Sequence, residues 1–275
     1  MTPLPGYSEV PPPPALRGAL ACLWVRVAGP PGWDVRVLPD GCADLIWQAG
    51  EGAFVAGPDT GPVLARAPAG AVFVGVRFAP GAGGPALGRP LEALLDARVG
   101  LADLAPRLEA RLPGSLEPGA ALRELTQVAA ELVAAGPPDR AVRAAAGRLG
   151  ADPATRVDVL AGDLGLSERQ LRRRCRAAAG YGPKTLGRVL RFRRYLALSD
   201  AEGPNADLAG LAWQAGYADQ PHLTRECTRL TGLTPAALAR ARRAEAAAAG
   251  DGAATPVQQK RAGSGVPGGG SRTPV

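Results

Sequence analysis

Near the C-terminus of this 275-residue chain one pattern occurs twice. Leu171, Cys175, Gly180 and Pro183 return as Leu223, Cys227, Gly232 and Pro235, each 52 positions later. Leu and Cys four residues apart share one helix face, a glycine five residues on can stop the helix in left-handed backbone, and a proline three further opens a new one. The chain must therefore build the same short helix, stop and restart twice, with the same internal packing. Each copy also carries arginines: Arg169, Arg172, Arg173 and Arg176 in the first, Arg225 and Arg229 in the second.

The charge is divided along the chain. Residues 1–138 hold 10 basic and 13 acidic side chains, whereas residues 139–243 hold 19 basic and 10 acidic. An acidic front and a basic back argue for two jobs, the second involving a polyanion. Lys184 and Lys260 are the only lysines, so the basic half is built from arginine, whose planar fork pairs bidentately with guanine or phosphate. No window approaches the ~18 apolar residues of a membrane span. Met1 to Pro14 has neither the basic nor the apolar region of a secretory signal, so a cytoplasmic protein with free Cys22, Cys42, Cys175 and Cys227 is expected.

The expected architecture is α+β, with a β-rich barrel- or sandwich-like front domain followed by an all-α domain. Residues 1–15 are proline-rich and expected to be flexible, residues 16–135 form the front domain, and 136–138 (Gly-Pro-Pro) the linker. Residues 139–243 form the basic domain, and 244–275, which lose all periodicity, a disordered tail. Strands are predicted at 21–27, 35–38, 43–47, 52–55 and 72–78, the last with Val72, Val74, Val76 and Phe78 on one face. Leucines spaced for helices follow from Leu91 to Leu132.

In the basic domain, Gly165-Leu166 makes a turn and Ser167 caps a helix over 168–179 that ends at Gly180. With Leu171 at 0°, steps of about 100° place Arg172, Arg176, Arg169 and Arg173 between about 100° and 200°, one outward stripe opposite the apolar face. Pro183 opens a long helix to about Leu198. Asn205 or Asp207 starts a second unit, Gly216-Tyr217-Ala218 is its turn, and Asp219 caps its second helix. Helix, glycine turn and a helix with one apolar and one basic face is the helix-turn-helix arrangement, and two on one body suit two successive major grooves of DNA.

Residues 156–240, about a third of the chain, resemble the C-terminal domain of AraC/XylS-type transcription regulators. The resemblance rests on Leu164-Gly165-Leu166-Ser167, on Gly216-Tyr217-Ala218-Asp219 with His222-Leu223-Thr224-Arg225, and on Gly232-Leu233-Thr234-Pro235. It implies about seven helices with two helix-turn-helix units joined by a long helix. It also implies base-facing roles for Arg169, Arg172 and Arg173 in one groove and for Gln220, Thr224 and Arg225 in the next. Arg176, Lys184, Arg188 and Arg191 are assigned to phosphates. The chain departs from the family where Cys175, Leu223 and Cys227 replace aromatics, and in carrying Arg242-Arg243 after Arg240.

Residues 38–104 resemble the N-terminal domain of one bacterial subgroup of these regulators, through the stretches 38–47, 57–60 and 74–81. In the wider family a small β-barrel there binds an effector and helps dimerise. Trp33, Asp40, Asp44, Trp47 and Arg77 are the candidates for an effector pocket. Equally, the tryptophans belong to the core and Asp40 shapes the Pro39-Asp40-Gly41 turn. Cys22 and Cys42 are either oxidant sensors or, on the commoner pattern, inert buried thiols. The single histidine, His222, leaves no cupin-like metal set, and no Gly-x-Ser-x-Gly, P-loop or Cys-x-x-Cys motif is present. We therefore expect a non-enzymatic DNA-binding regulator without cofactor or metal. Its expected partners are double-stranded DNA, RNA polymerase, a small effector and a second copy of itself. An architectural DNA binder, or an enzyme domain with a carboxylate site at Asp40, Asp44 and Asp59, are the rival readings.

Overall fold

The computed structural model describes residues 6–30, 32–203 and 206–248. Among the described residues eight strands make two antiparallel sheets. They are β1 (Gly6–Val10), β2 (Leu20–Val27), β3 (Gly32–Val37), β4 (Ala43–Gln48), β5 (Gly52–Ala56), β6 (Val63–Pro68), β7 (Val72–Phe78) and β8 (Arg98–Gly100). The larger sheet has the order β1-β2-β7-β4-β5-β8, and β3 pairs with β6. Helices α1 (Gly83–Ala86), α2 (Leu101–Leu104), α3 (Pro106–Glu109) and α4 (Pro118–Ala135) complete the front domain. Seven helices follow among the described residues: α5 (Arg140–Ala151), α6 (Val157–Asp163), α7 (Glu168–Ala179), α8 (Pro183–Glu202), α9 (Leu208–Ala215), α10 (Gln220–Thr231) and α11 (Pro235–Ala248).

Three expectations are corrected. Residues 6–10 are not loose but form β1, paired with β2 from Gly6–Val27 to Val10–Leu23, with Tyr7 buried. Backbone hydrogen bonds to a neighbouring strand hold this segment whatever its proline-rich flank suggests. The linker is packed: a Cβ on Gly136 would lie 1.9 Å from the Pro85 carbonyl oxygen. Helix α11 continues to Ala248, because an alanine run shows no apolar-polar contrast yet is the best of helix formers. Residues 1–5 of the expected flexible N-terminus, residue 205, and 249–275 of the expected tail lie outside the described residues.

The large sheet is covered on both faces. Leu45, Trp47, Val55, Val74, Val76 and Phe78, all fully buried, meet Leu125, Val128 and Ala129 of α4 in the main core. Register puts three rows on the opposite face: Cys22–Arg77–Asp44, Trp24–Gly75–Ile46 and Arg26–Phe73–Gln48. Gly75 is required there, since any Cβ would enter the Trp24 indole at 2.0 Å.

The helical domain has two cores threaded by α8. Leu186 and Leu190 join the first, with Leu160, Leu171 and Cys175. Val189, Phe192, Tyr195 and Leu196 join the second, with Leu211, Leu223 and Cys227. Successive faces of one helix thus carry both helix-turn-helix units.

Candidate nucleic-acid interface

Local sequence sets up α7 and α10 in the same way. Ser167 Oγ accepts from the Gln170 amide and the Gln170 side chain accepts from the Ser167 amide, a reciprocal cap. Asp219 accepts from the His222 amide at 2.6 Å. Gly180 (φ +80°) and Gly232 (φ +72°) end the two helices in left-handed backbone, as the repeat demanded. Inward, Leu171 and Cys175, like Leu223 and Cys227, are fully buried. Burial pushes the Cys175 thiol up to about 12 and that of Cys227 up to about 11, so both are apolar packing groups.

Outward, Arg169, Arg172, Arg173 and Arg176 of α7 are exposed, as are Gln220 and Arg225 of α10, and Thr224 is half-buried. None of Arg169, Arg172, Arg173 or Arg225 has an ion-pair partner within 4.0 Å among the described residues; Arg176 reaches Glu92 at 4.0 Å. Four arginines on one exposed face mostly without acid partners repel one another and favour an anionic ligand. The phosphate candidates divide. Lys184 is exposed beside a groove of about 510 Å³. Arg188 and Arg191 instead bond within the domain. Arg188 holds Glu226 of α10 through Nε at 2.7 Å and Nη2 at 3.1 Å, while Arg191 donates to the Pro153 carbonyl at 2.6 Å and lies over the Tyr217 ring at 5.5 Å. Composition alone does not separate an arginine aimed at DNA from one aimed at a neighbouring carbonyl.

Sequence reading also passed over Arg174 and Asp139. Arg174 makes a bidentate pair with Asp139, which at the same time caps α5 by accepting from the Val142 amide. Burial raises the Asp139 carboxyl, but Arg174 and the amide outweigh it and leave its pKa below the ordinary value. The signal was Asp139 standing just before a helix.

The front-domain candidates scatter. Asp40 and Asp44 line a cavity of about 190 Å³ between the large sheet and β3–β6, with Trp24, Arg26, Phe54, Asp59, Phe73 and Arg98. Trp47 does not: it sits in the main core and its indole N–H donates to the Pro113 carbonyl at 2.9 Å. Arg77 is buried beneath the cavity floor, paired with Asp44 at 2.9 Å and Glu9 at 3.0 Å. Burial works against its charge, yet Asp44 and its neighbours hold it above its usual value, so it is a fixed cation of the fold. The Trp33 side chain lies outside the described residues. Asp40 Oδ1 also accepts from the Cys42 amide at 2.9 Å, so it shapes the turn and lines the cavity together. Burial raises the Asp59 carboxyl against the pull of its Arg98 partner.

The walls of this cavity reach the helical domain. Asp59 lines it, and the Asp59 carbonyl accepts from the Tyr181 hydroxyl just beyond α7, while Pro58 lies against Gly180. On β3, Val37 faces the cavity and the preceding Arg36 donates to the Thr231 carbonyl at the end of α10 at 2.9 Å. Leu38, one residue on, is part of the second helical core.

The paired units, their caps and their outward arginines define a double helix-turn-helix domain. Residues 160–242 match a helix-turn-helix domain family, and residues 8–100 match a domain of unknown function (DUF6597). Residues 160–242 are thus a helix-turn-helix domain of the AraC type, and residues 8–100 place the domain of unknown function in front of it. No curated protein matches it significantly. Among solved structures it is similar to apo ToxT from Vibrio cholerae strain SCE256, at 11% identity over 79% of this chain and 97% of that one, with a TM-score of 0.43. A second crystal form of Vibrio cholerae ToxT aligns at 10% identity over 86% of this chain and 98% of that one, TM-score 0.42. Wild-type ToxT with an unsaturated fatty acid bound aligns at 10% identity over 79% and 93%, TM-score 0.40. Similarity this low does not carry function from one protein to another. Among the described residues no helix is long and apolar enough to cross a membrane, and no group of three or more His, Cys, Asp or Glu is placed to hold a metal ion.

Proposed function

We propose that this protein is a sequence-specific transcription regulator of the cytoplasm. It places α7 and α10 in successive major grooves and is controlled by a small molecule in its front domain. The observation that carries the reading is the exposed arginine stripe of α7 on one body with a second helix that is likewise capped at its start and ended by a left-handed glycine. Arg169, Arg172 and Arg173 read one groove, guanine O6 and N7 being the natural partners of their forks, and Gln220, Thr224 and Arg225 read the other. Arg176 and Lys184 bind phosphate. The effector occupies the 190 Å³ cavity. Its walls at Asp59 and Val37 are neighbours of the contacts to Tyr181 and Thr231, so a ligand that moves either wall bears on the end of a recognition helix. Recruitment or obstruction of RNA polymerase follows from how the pair then docks.

Fluorescence anisotropy tests the DNA half. Full-length protein is titrated at fixed near-physiological salt on DNA from upstream of its own gene and on a scrambled duplex, together with the Arg172→Ala/Arg225→Ala variant. The reading expects roughly 10³-fold preference for the true site, lost in the variant. Equal weak binding of both duplexes at every effector tried would favour an architectural binder.

A further inference from the structure

The two helix-turn-helix units meet along a seam in which three arginines of α8 take part. Arg194 donates through Nη1 to the Ala151 carbonyl and through Nε to the Gln214 carbonyl, both at 2.9 Å. Ala151 ends α5 beneath the first unit, and Gln214 lies in the last turn of α9 in the second. Carbonyls in a last helical turn lack intrahelical partners and carry the negative end of the helix dipole. One guanidinium therefore closes two helix ends, one from each unit. Arg191, a turn earlier, also spans the seam, donating to the Pro153 carbonyl just past α5 and lying over the Tyr217 ring just past α9. Pro153 itself packs on the turn of the second unit, where a Cβ on Gly216 (φ +86°) would meet it at 3.2 Å. Arg188, one turn further back, grips Glu226 on α10 itself. Arginines at 188, 191 and 194 follow one i, i+3, i+6 ridge of the helix.

We propose that Arg188, Arg191 and Arg194 are positioning residues that fix the separation and twist of the two recognition helices, and so dictate the spacing between the two DNA blocks the protein accepts. The proposal rests on the two-groove reading above. The shared helix α8 sets an axial distance of about 30 Å at most from its own length. Rotation of the second unit about α8 is limited by the seam. A planar fork satisfying two acceptors in fixed directions holds an angle, which a lysine ammonium does not. Inserting one base pair moves the second block by about 3.4 Å and turns it by about 34°. A stiff seam cannot follow that change, and a loosened one can.

The test begins with a site selected from randomised duplexes by the full-length wild-type protein. Its dissociation constant is then measured on that site and on versions with one base pair added or removed between the two blocks. The set covers wild type, Arg188→Ala, Arg194→Ala and Arg194→Lys, each checked for folding by circular dichroism. Wild type should lose at least tenfold on either altered spacer. In Arg194→Ala and Arg188→Ala the ratio should fall to threefold or less, with Arg194→Lys closer to alanine than to wild type. A simple phosphate contact would weaken all three duplexes alike and leave the ratio unchanged; that result overturns the proposal.

If an alanine variant fails to fold, Glu226→Gln, which keeps the size of the side chain, takes its place under the same criterion. Spin labels at Arg173→Cys and Arg225→Cys add a measurement without DNA: the distance distribution should broaden in Arg194→Ala, and an unchanged width counts against the proposal. Failure of the two-groove reading looks different, because selection then returns no pair of blocks in any background.

Discussion

The two helix-turn-helix units share a framework but differ in what they offer outward and in how the front domain holds them. Aligned by the 52-residue repeat, Arg172 and Arg173 of α7 correspond to Thr224 and Arg225 of α10, and Arg169 and Arg176 to Pro221 and Thr228. On the proposed two-groove reading the first unit is the electrostatic anchor and the second the more discriminating reader, where Gln220 and Thr224, suited to adenine and a thymine methyl, stand beside Arg225. The first is also gripped more closely. A Cβ on Gly84 of α1 would lie 2.0 Å from the Ala177 carbonyl of α7, so backbone rests on backbone there, and Leu95 packs into the first helical core. The second unit is held by Arg36 on the Thr231 carbonyl and by Leu38. Two copies of one fold can thus be given different tasks by a few exposed side chains and by what covers their far ends.

The largest effect should come from the reading faces. Arg172→Ala/Arg173→Ala should cost about 2–6 kcal/mol of DNA affinity, against about 1–3 kcal/mol for Arg225→Ala, each bidentate base contact contributing about 1–3 kcal/mol. Anisotropy titrations at one salt concentration measure this, and equal losses would abolish the distinction between anchor and reader.

Next is the packed contact of the first unit. Gly84→Ala should lower stability by about 1–3 kcal/mol, because backbone has to shift to admit the methyl. Chemical denaturation reads the loss, and a neutral result would mean that α1 and α7 are not pressed together.

Single hydrogen bonds to the two units come third. Tyr181→Phe removes the bond to the Asp59 carbonyl, and Arg36→Ala the bond to Thr231, each worth about 0.5–1.5 kcal/mol. If the effector acts through these contacts, Tyr181→Phe should alter its influence on the first DNA block and Arg36→Ala on the second, as footprinting with and without effector would show.

A smaller effect concerns pH. The Asp139 pKa is lower folded than unfolded, so its pair with Arg174 stabilises the fold above the ordinary carboxylate range and ceases to do so as pH falls through the folded value. Wild type should exceed Asp139→Asn in urea midpoint at pH 7, and the two should converge in acid. Smallest of all, Cys175 and Cys227 should resist alkylation at neutral pH until the chain is unfolded, since the thiolate is the reactive form.

What could be read directly lay in local interactions. Ser167, Asp219, Gly180 and Gly232 mark helix ends because capping and left-handed backbone involve residues within a few positions of each other. The repeat and the charge division likewise mark two basic helix-turn-helix units in the second half of the chain, and the predicted span 168–179 is that of α7. Strand positions were legible where strand-forming residues recur, whereas β6, whose one face is Val63, Ala65 and Ala67 and which ends in Pro68, gives no such signal because alanine and proline are poor strand formers.

Only the tertiary structure decided which tryptophan meets the cavity and which the core. Trp24 and Trp47 lie on opposite faces of a sheet buried on both sides, and alternation separates the faces without saying what covers each. It alone likewise divided the arginines. Arg172 and Arg191 are the same residue on helices of the same domain, but one faces solvent while the other has a carbonyl at 2.6 Å. The reach of a guanidinium is long, and within the helical domain Arg194 finds a partner 43 residues away in sequence, so its role is set by packing.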